Sequence, residues 1–136
     1  MTSTGGAADE RALLDERFDA ATLHRLRGRV AACAIATGMA ASRVPDLVLA
    51  VHELAANAVR HGAGAGQLLV RAIPGGALSF QVSDTGQGPE TWPVRPGHGL
   101  WIVREIADRM TMSSGPDGSR VTAVFGSHAG AIGAAG

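Results

Sequence analysis

From Ser42 to His61 an apolar stripe recurs at helical spacing, formed by Leu47, Val48, Val51, Leu54, Ala55 and Ala58. Beside it runs a polar row, Glu53, Asn57 and His61, at every fourth residue. The pattern predicts one long amphipathic helix whose apolar side must lie on a larger apolar surface. Pro45 is compatible with it because it falls in the first turn, and Gly62-Ala63-Gly64 marks its end. A solvated helix face is the plainer reading of such a row. Two details weigh against it. Asn is a poor interior helix residue because its side chain competes for the backbone, and the residues around the row are small or apolar rather than charged. An Asn oxygen at the edge of a cleft suits Mg²⁺, an ion that takes few protein ligands and completes its shell with waters and phosphates. Glu53, one turn earlier, would then stand ready to accept a proton from a nucleophile.

The rest of the chain punctuates itself. Arg11 to Phe18 reads as an edge strand, and Asp19 as the N-cap of a helix from Ala20 to Gly38 with Leu23, Leu26, Val30, Cys33 and Ala34 on one side. Gln67–Ile73 and Ala77–Ser83 read as strands joined by the turn Pro74-Gly75-Gly76. A Pro-rich loop spans Pro89 to Pro96. Gly99 to Met110 reads as a third helix, with Leu100, Trp101, Val103, Ile106 and Ala107 as core. Thr111–Ser114 and Arg120–Phe125 close the chain as a hairpin around Gly115-Pro116-Asp117-Gly118. This order predicts an α/β (α+β) two-layer sandwich: a mixed, mostly antiparallel sheet with its helices on one face. Residues 1–10 and 127–136 read as flexible tails around one domain over 11–126.

Composition narrows the chemistry. The 136 residues suffice for one core, and a net charge of zero gives no footprint for direct nucleic-acid or membrane binding. All twelve basic residues are Arg. Without Lys a Walker A loop is excluded, so phosphates must be met by backbone N–H groups, Arg, His or a metal ion. Cys33 alone forms neither an internal disulfide nor a Cys-based zinc site, and its apolar run reads as buried core. No apolar stretch is long enough to span a membrane and the first ten residues hold no signal-peptide core, so a cytoplasmic location is expected.

Two glycine motifs complete the candidate site. In Val82-Ser83-Asp84-Thr85-Gly86-Gln87-Gly88 a strand runs into a carboxylate and two glycines. An ordinary Asp-Xaa-Gly turn is one reading. In the other, Asp84 accepts a hydrogen bond from the adenine exocyclic amine, where guanine would present a carbonyl oxygen. Gly86 and Gly88 would let the backbone approach the base. Gly97-His98-Gly99-Leu100 directly precedes a helix, whose free N–H groups suit phosphate oxygens. The loop before it could act as a lid, with Arg95 read as a solvated side chain first and a phosphate contact second, and Trp92 as a lid or interface aromatic.

Taken in order, these motifs resemble those of the GHKL ATPases. Glu53-Leu54-Ala55-Ala56-Asn57-Ala58-Val59-Arg60-His61 is similar to the N box, Asp84-Thr85-Gly86-Gln87-Gly88 to the G1 box and Gly97-His98-Gly99-Leu100 to the G2 box. Gly118-Ser119-Arg120-Val121 resembles the last box, with Ser119 where Thr is usual. Within the superfamily, Asn-Ala-Val-Arg-His-Gly and Gly-Leu-Trp-Ile-Val are most similar to bacterial anti-sigma factor serine/threonine kinases of the RsbW/SpoIIAB type. The resemblance implies a Bergerat, histidine-kinase-like ATPase fold, with ATP and Mg²⁺ as cofactors. It implies Glu53 as general base, Asn57 as Mg²⁺ ligand and Asp84 as adenine reader. Gly86 and Gly88 would shape the base pocket, Gly97, His98, Gly99 and Leu100 would line the phosphates, and His61 and Ser119 would lie near the nucleotide. As partners it implies a sigma factor and an anti-sigma antagonist, and it admits a homodimer, common in the family. Only eight residues separate Gly88 from Gly97, a shorter lid than the family often carries. Two alternatives therefore stay open: a non-catalytic, nucleotide-gated binding module, and a stand-alone histidine-kinase-like catalytic domain.

Overall fold

The computed structural model describes residues 11–86 and 99–127. In chain order they form β1 (Arg11–Asp19), α1 (Arg25–Ala36), a 3₁₀ turn (Ala41–Arg43), α2 (Val44–His61), β2 (Ala65–Ile73), β3 (Ala77–Asp84), α3 (Gly99–Ile106), β4 (Arg109–Gly115) and β5 (Gly118–Phe125). The strands make one sheet in the order β1-β2-β3-β5-β4, with each of its four pairings antiparallel. The Pro89–Pro96 loop, Trp92 and Arg95 lie outside the described residues.

Strand alternation creates the two layers. Leu68 and Val70, Leu78, Phe80 and Val82, and Val121, Ala123 and Phe125 point to one face and are buried. The helices cover that face. α2 lies at its centre, touching α1, α3, β2, β3 and β5, and it buries Leu47, Val51, Leu54 and Ala58 in the same core. Phe80 and Phe125 meet edge to face, centroids 6.0 Å apart. Intervening strand residues such as Gln81, Thr122, Arg71 and Arg120 are half-buried or exposed on the other face.

Two helix boundaries and the burial of two side chains differ from the sequence expectation. The first helix starts at Arg25 rather than Ala20. The Asp19 carboxylate accepts hydrogen bonds from the Ala21 and Thr22 amides and the Thr22 hydroxyl, while its carbonyl takes the Thr22 and Leu23 amides. Asp19 therefore closes a turn over Ala20–His24, and His24 caps α1 without a side-chain bond. The third helix ends at Ile106 rather than Met110 because the Asp108 amide turns to the Val124 carbonyl, opening β4. Cys33 is half-buried rather than buried, and partial desolvation pushes its thiol pKa up. Trp101 is likewise half-buried.

One ion pair ties the far end of the sandwich together. Arg43, 5% exposed, donates from Nη2 to Asp108 Oδ2 at 2.7 Å, and the same oxygen accepts the Gly126 amide at 2.6 Å. The guanidinium also lies 5.0 Å from the Phe125 ring centroid. The start of α2, the α3–β4 junction and the end of β5 thus share one charged node. Asp108→Ala should destabilise the domain by about 3–5 kcal/mol in urea unfolding, because it strands a buried cation. The pair Arg43→Met with Asp108→Leu should recover most of that loss.

The hydrogen bonds at Asp19, chiefly from the Thr22 backbone, hold its pKa below the ordinary 3.8. A depressed carboxylate contributes stability above its unfolded value and loses it as pH falls through the folded value. The turn at Ala20–His24 should therefore persist through pH 3.8 and fray only below it, as read from the Asp19 carboxyl and Thr22 amide shifts in an NMR titration.

Candidate nucleotide site

The polar row predicted on α2 is present, and its three members differ in burial. Asn57 is 3% exposed, one of three buried polar or charged residues among those described. Glu53, one turn earlier, is half-buried against the start of α3. A Cβ built on Gly99 would overlap its carboxylate oxygen, so the absence of a side chain there lets α3 begin beside Glu53. His61 is exposed at the end of α2, and Leu100 is fully buried in the core.

At the other end of α2 the Asp84 carboxylate faces Gly62. A Cβ on Gly62 would fall 2.6 Å from either carboxylate oxygen. The carboxylate also organises the chain after β3. Its Oδ1 accepts the Gly86 amide at 2.7 Å, which bends the backbone back until a Cβ on Gly86 would lie 2.7 Å from the Ala63 nitrogen. The register pairs Asp84 with Ser119 across β3 and β5. Ser119 is 5% exposed, and its hydroxyl donates to the Gly86 carbonyl at 3.3 Å and lies 3.5 Å from Asp84 Oδ2. A carboxylate has about four lone-pair directions, so Asp84 retains acceptor capacity after these contacts.

Two groupings result. Asp84, Gly86 and Ser119 converge at the joined ends of β3 and β5. Glu53 and Gly99 meet at the start of α3. Asn57 lies between them on α2, in a stretch from Glu53 to Gly62 of about 13 Å along the axis. Gly88, Gly97 and His98 lie outside the described residues.

A cavity of about 880 Å³ opens beside the first grouping. Asp84, Thr85 and Ser119 line it together with Arg17, Asp19 and Arg120. Among the described residues, Glu53 and Asn57 are not part of that lining. The sequence motifs did not indicate Arg17, Asp19 or Gly62 as neighbours of Asp84. The first two come from an edge strand separated from it by more than sixty residues, and only the register β1-β2-β3 brings them near. Gly62 read as a helix stop and nothing more.

No group of three or more His, Cys, Asp or Glu able to hold a metal ion occurs among the described residues. An ion at this site would depend on a neutral amide such as Asn57 together with phosphate and water oxygens, a donor set that suits Mg²⁺ rather than a metal needing a protein cage. Among the described residues, no helix is long and apolar enough to cross a membrane.

Comparisons with known proteins agree with this fold. No curated protein matches the chain. Among solved structures, it is similar to the RsbU and RsbW domains of Rv1364c from Mycobacterium tuberculosis, with TM-score 0.65 and 17% identity, over 84% of this chain and 32% of that one. It is also similar to the histidine kinase domain of a blue-light activated histidine kinase from Erythrobacter litoralis EL346, with TM-score 0.57 and 24% identity over 76% and 60% of the two chains. A second structure of that kinase gives TM-score 0.56 and 25% identity over 76% and 41%. The chain thus spans about a third of the first of these proteins and less than two thirds of the others. The family model for the histidine kinase-like ATPase domain matches residues 17–125, from the end of β1 to the end of β5, and the chain belongs to that family.

Proposed function

We propose that this chain is a cytoplasmic, ATP- and Mg²⁺-binding regulatory kinase that phosphorylates Ser or Thr on an anti-sigma antagonist and sequesters a sigma factor. The observation that carries the nucleotide half is the Asp84 carboxylate, held by Gly86 and Ser119 at the sheet end while still able to accept a hydrogen bond. An exocyclic amine satisfies that acceptor; the carbonyl of guanine would oppose it. The partner half draws support from the likeness to a chain bearing an RsbW domain and from the motif resemblance.

The residues divide the work. Asp84, with Gly86 and Ser119, selects and orients adenine. Asn57 would hold Mg²⁺, which when bound neutralises charge on the phosphates. Gly99 and Leu100 begin a helix whose N-terminus suits phosphate oxygens. The partner hydroxyl oxygen attacks the γ-phosphorus, the bond from that phosphorus to the ADP oxygen breaks, and Glu53 accepts the hydroxyl proton. Phosphorylation adds about −1.5 to −2 charge to the partner and would weaken a packed interface. The similarity to histidine kinase structures favours a second reading, transfer to a His on a separate partner. Acid-labile phosphate distinguishes it from phosphoserine or phosphothreonine.

Calorimetry of the full chain should show ATP bound at least about tenfold more tightly than GTP, with the preference lost in Asp84→Asn, since one buried unpaired acceptor costs about 1–3 kcal/mol. Asn57→Ala should remove the Mg²⁺-dependent part of the affinity. Equal affinity for the two nucleotides in the parent chain would overturn the base-reading role. Glu53→Gln should keep ATP affinity within about threefold and lower phosphoryl transfer to a partner by about 10²–10⁴-fold, the range for loss of a general base. Binding without transfer in the parent chain, across several genuine partners, would instead mark a nucleotide-gated module.

A further inference from the structure

The two edges of the sheet are built differently. At one edge β1 carries Arg11, Asp15, Glu16, Arg17 and Asp19 within nine residues, and its register with β2 shifts between Ala12 and Leu14. Charges and irregularities of this kind keep an edge strand from pairing with another chain. At the other edge β4 pairs with β5 over seven residues without a register shift. After Arg109 it holds neither a charged residue nor a proline. Among the described residues no strand lies beyond it, so its outward N–H and C=O groups are a template for a further strand.

The same edge leaves apolar surface uncovered. Met110 and Met112 pair with Ala123 and Val121, which point to the helix-covered face and are buried. Met110 packs against the core, whereas Met112 is 40% exposed, one of three exposed large hydrophobic side chains among those described. Charge is confined to the two ends. Arg109 opens the strand and Asp117 stands in the turn just past it, both exposed. Among the described residues neither forms an ion pair.

We propose that the free edge of β4 pairs antiparallel with β4 of a second copy of this chain, about a two-fold axis at Met112, joining two five-stranded sheets into one. In that register Met112 meets Met112, Thr111 meets Ser113, and Arg109 meets Gly115, the last two pairs each made twice. The exposed methionines then cover each other at the separation of directly opposed strand residues, about 4.5–5.5 Å. Arg109 of each copy comes beside the turn that carries Asp117 of the other, so the strand is complementary to itself in charge. A parallel pairing would instead set Arg109 against Arg109 and Asp117 against Asp117, a like-charge arrangement that disfavours it. The contact runs along about 24 Å of strand, less than the roughly 800 Å² per partner of a standard interface, so the dimer is weak and depends on concentration. Ser113 and Gly115 also line the cavity beside Asp84, which puts Arg109 of the second copy at that cavity's rim. The pairing itself does not rest on the nucleotide reading.

The test is sedimentation equilibrium of the full chain, without nucleotide, from about 10 μM to 1 mM. The mass should rise from monomer toward dimer, and amide hydrogen exchange should slow with concentration in β4 and not in β1. Met112→Asp, which sets two carboxylates opposite each other, should raise the dimer dissociation constant at least about tenfold. Arg109→Glu should raise it at least about fivefold, and Arg109→Glu with Asp117→Arg should return it to within about twofold of the parent, because the swap restores both charge pairs. Arg27→Glu, the same charge change on α1, should alter it less than about twofold. If Met112→Asp fails to fold, the reversal and its swap carry the test. A monomer at every concentration, protection arising at β1 instead of β4, an equal loss with Arg27→Glu, or no recovery in the swap would each overturn the proposal.

Discussion

Every part of this molecule depends on α2 being wedged against the sheet by one side while its flank stays chemically usable. The helix touches both other helices and three strands, so its rotation about its own axis is fixed by Leu47, Val51, Leu54 and Ala58 in the core. Once that rotation is set, the positions of Glu53 and Asn57 are not adjustable. Asn57 is buried, and Glu53 meets the start of α3. Burying an amide without need is unfavourable, so the core holds a polar group in a place that packing alone would fill with Leu or Ala.

Much of this was legible because hydrophobic period and glycine punctuation agreed. The 2-residue alternation of Leu78, Phe80 and Val82, the turn at Pro74-Gly75-Gly76 and the 3.6-residue stripe of α2 placed the central elements to within a residue or two. What the sequence hid was long-range competition for backbone groups. Asp19 is a good cap in either reading, but its carboxylate and carbonyl close a short turn first, and the helix that follows starts with Arg25, Arg27 and Arg29 and no acidic residue in its first turn. That charge opposes the helix dipole. Likewise, nothing local ends α3 at Ile106. Its end is set by Asp108, whose amide bonds to Val124 and whose carboxylate serves Arg43 and Gly126, residues from two other parts of the chain.

The site divides along the same line. Asp84 and Gly86 are neighbours in sequence, and their hydrogen bond is a local turn that a motif can carry. Ser119 joins them by strand register, a consequence of the predicted closing hairpin once its partner strand is known. The fit of Asp84 against Gly62 is different in kind. It requires the end of α2 to arrive where β3 ends, within a distance that tolerates no side chain. A glycine that looked like a helix stop is therefore also a contact surface, and only the packed structure distinguishes the two roles.

Charge follows an analogous division. The chain is neutral overall, yet its arginines are not spread evenly. Strand alternation sends the apolar residues of β2, β3 and β5 inward and leaves the outward positions to whatever the second face requires. The outer face mixes signs, with Asp15 and Asp19 flanking Arg17 along β1, and like charges on neighbouring strands cost stability while opposite ones return a little. Arg17, Arg71, Arg109 and Arg120 are kept apart there by intervening short or neutral side chains, a spacing that limits their mutual repulsion. The two faces of one sheet thus differ in kind: the inner face fixes the helix that carries Glu53 and Asn57, and the outer face brings Arg17 and Arg120 to the rim of the cavity beside Asp84.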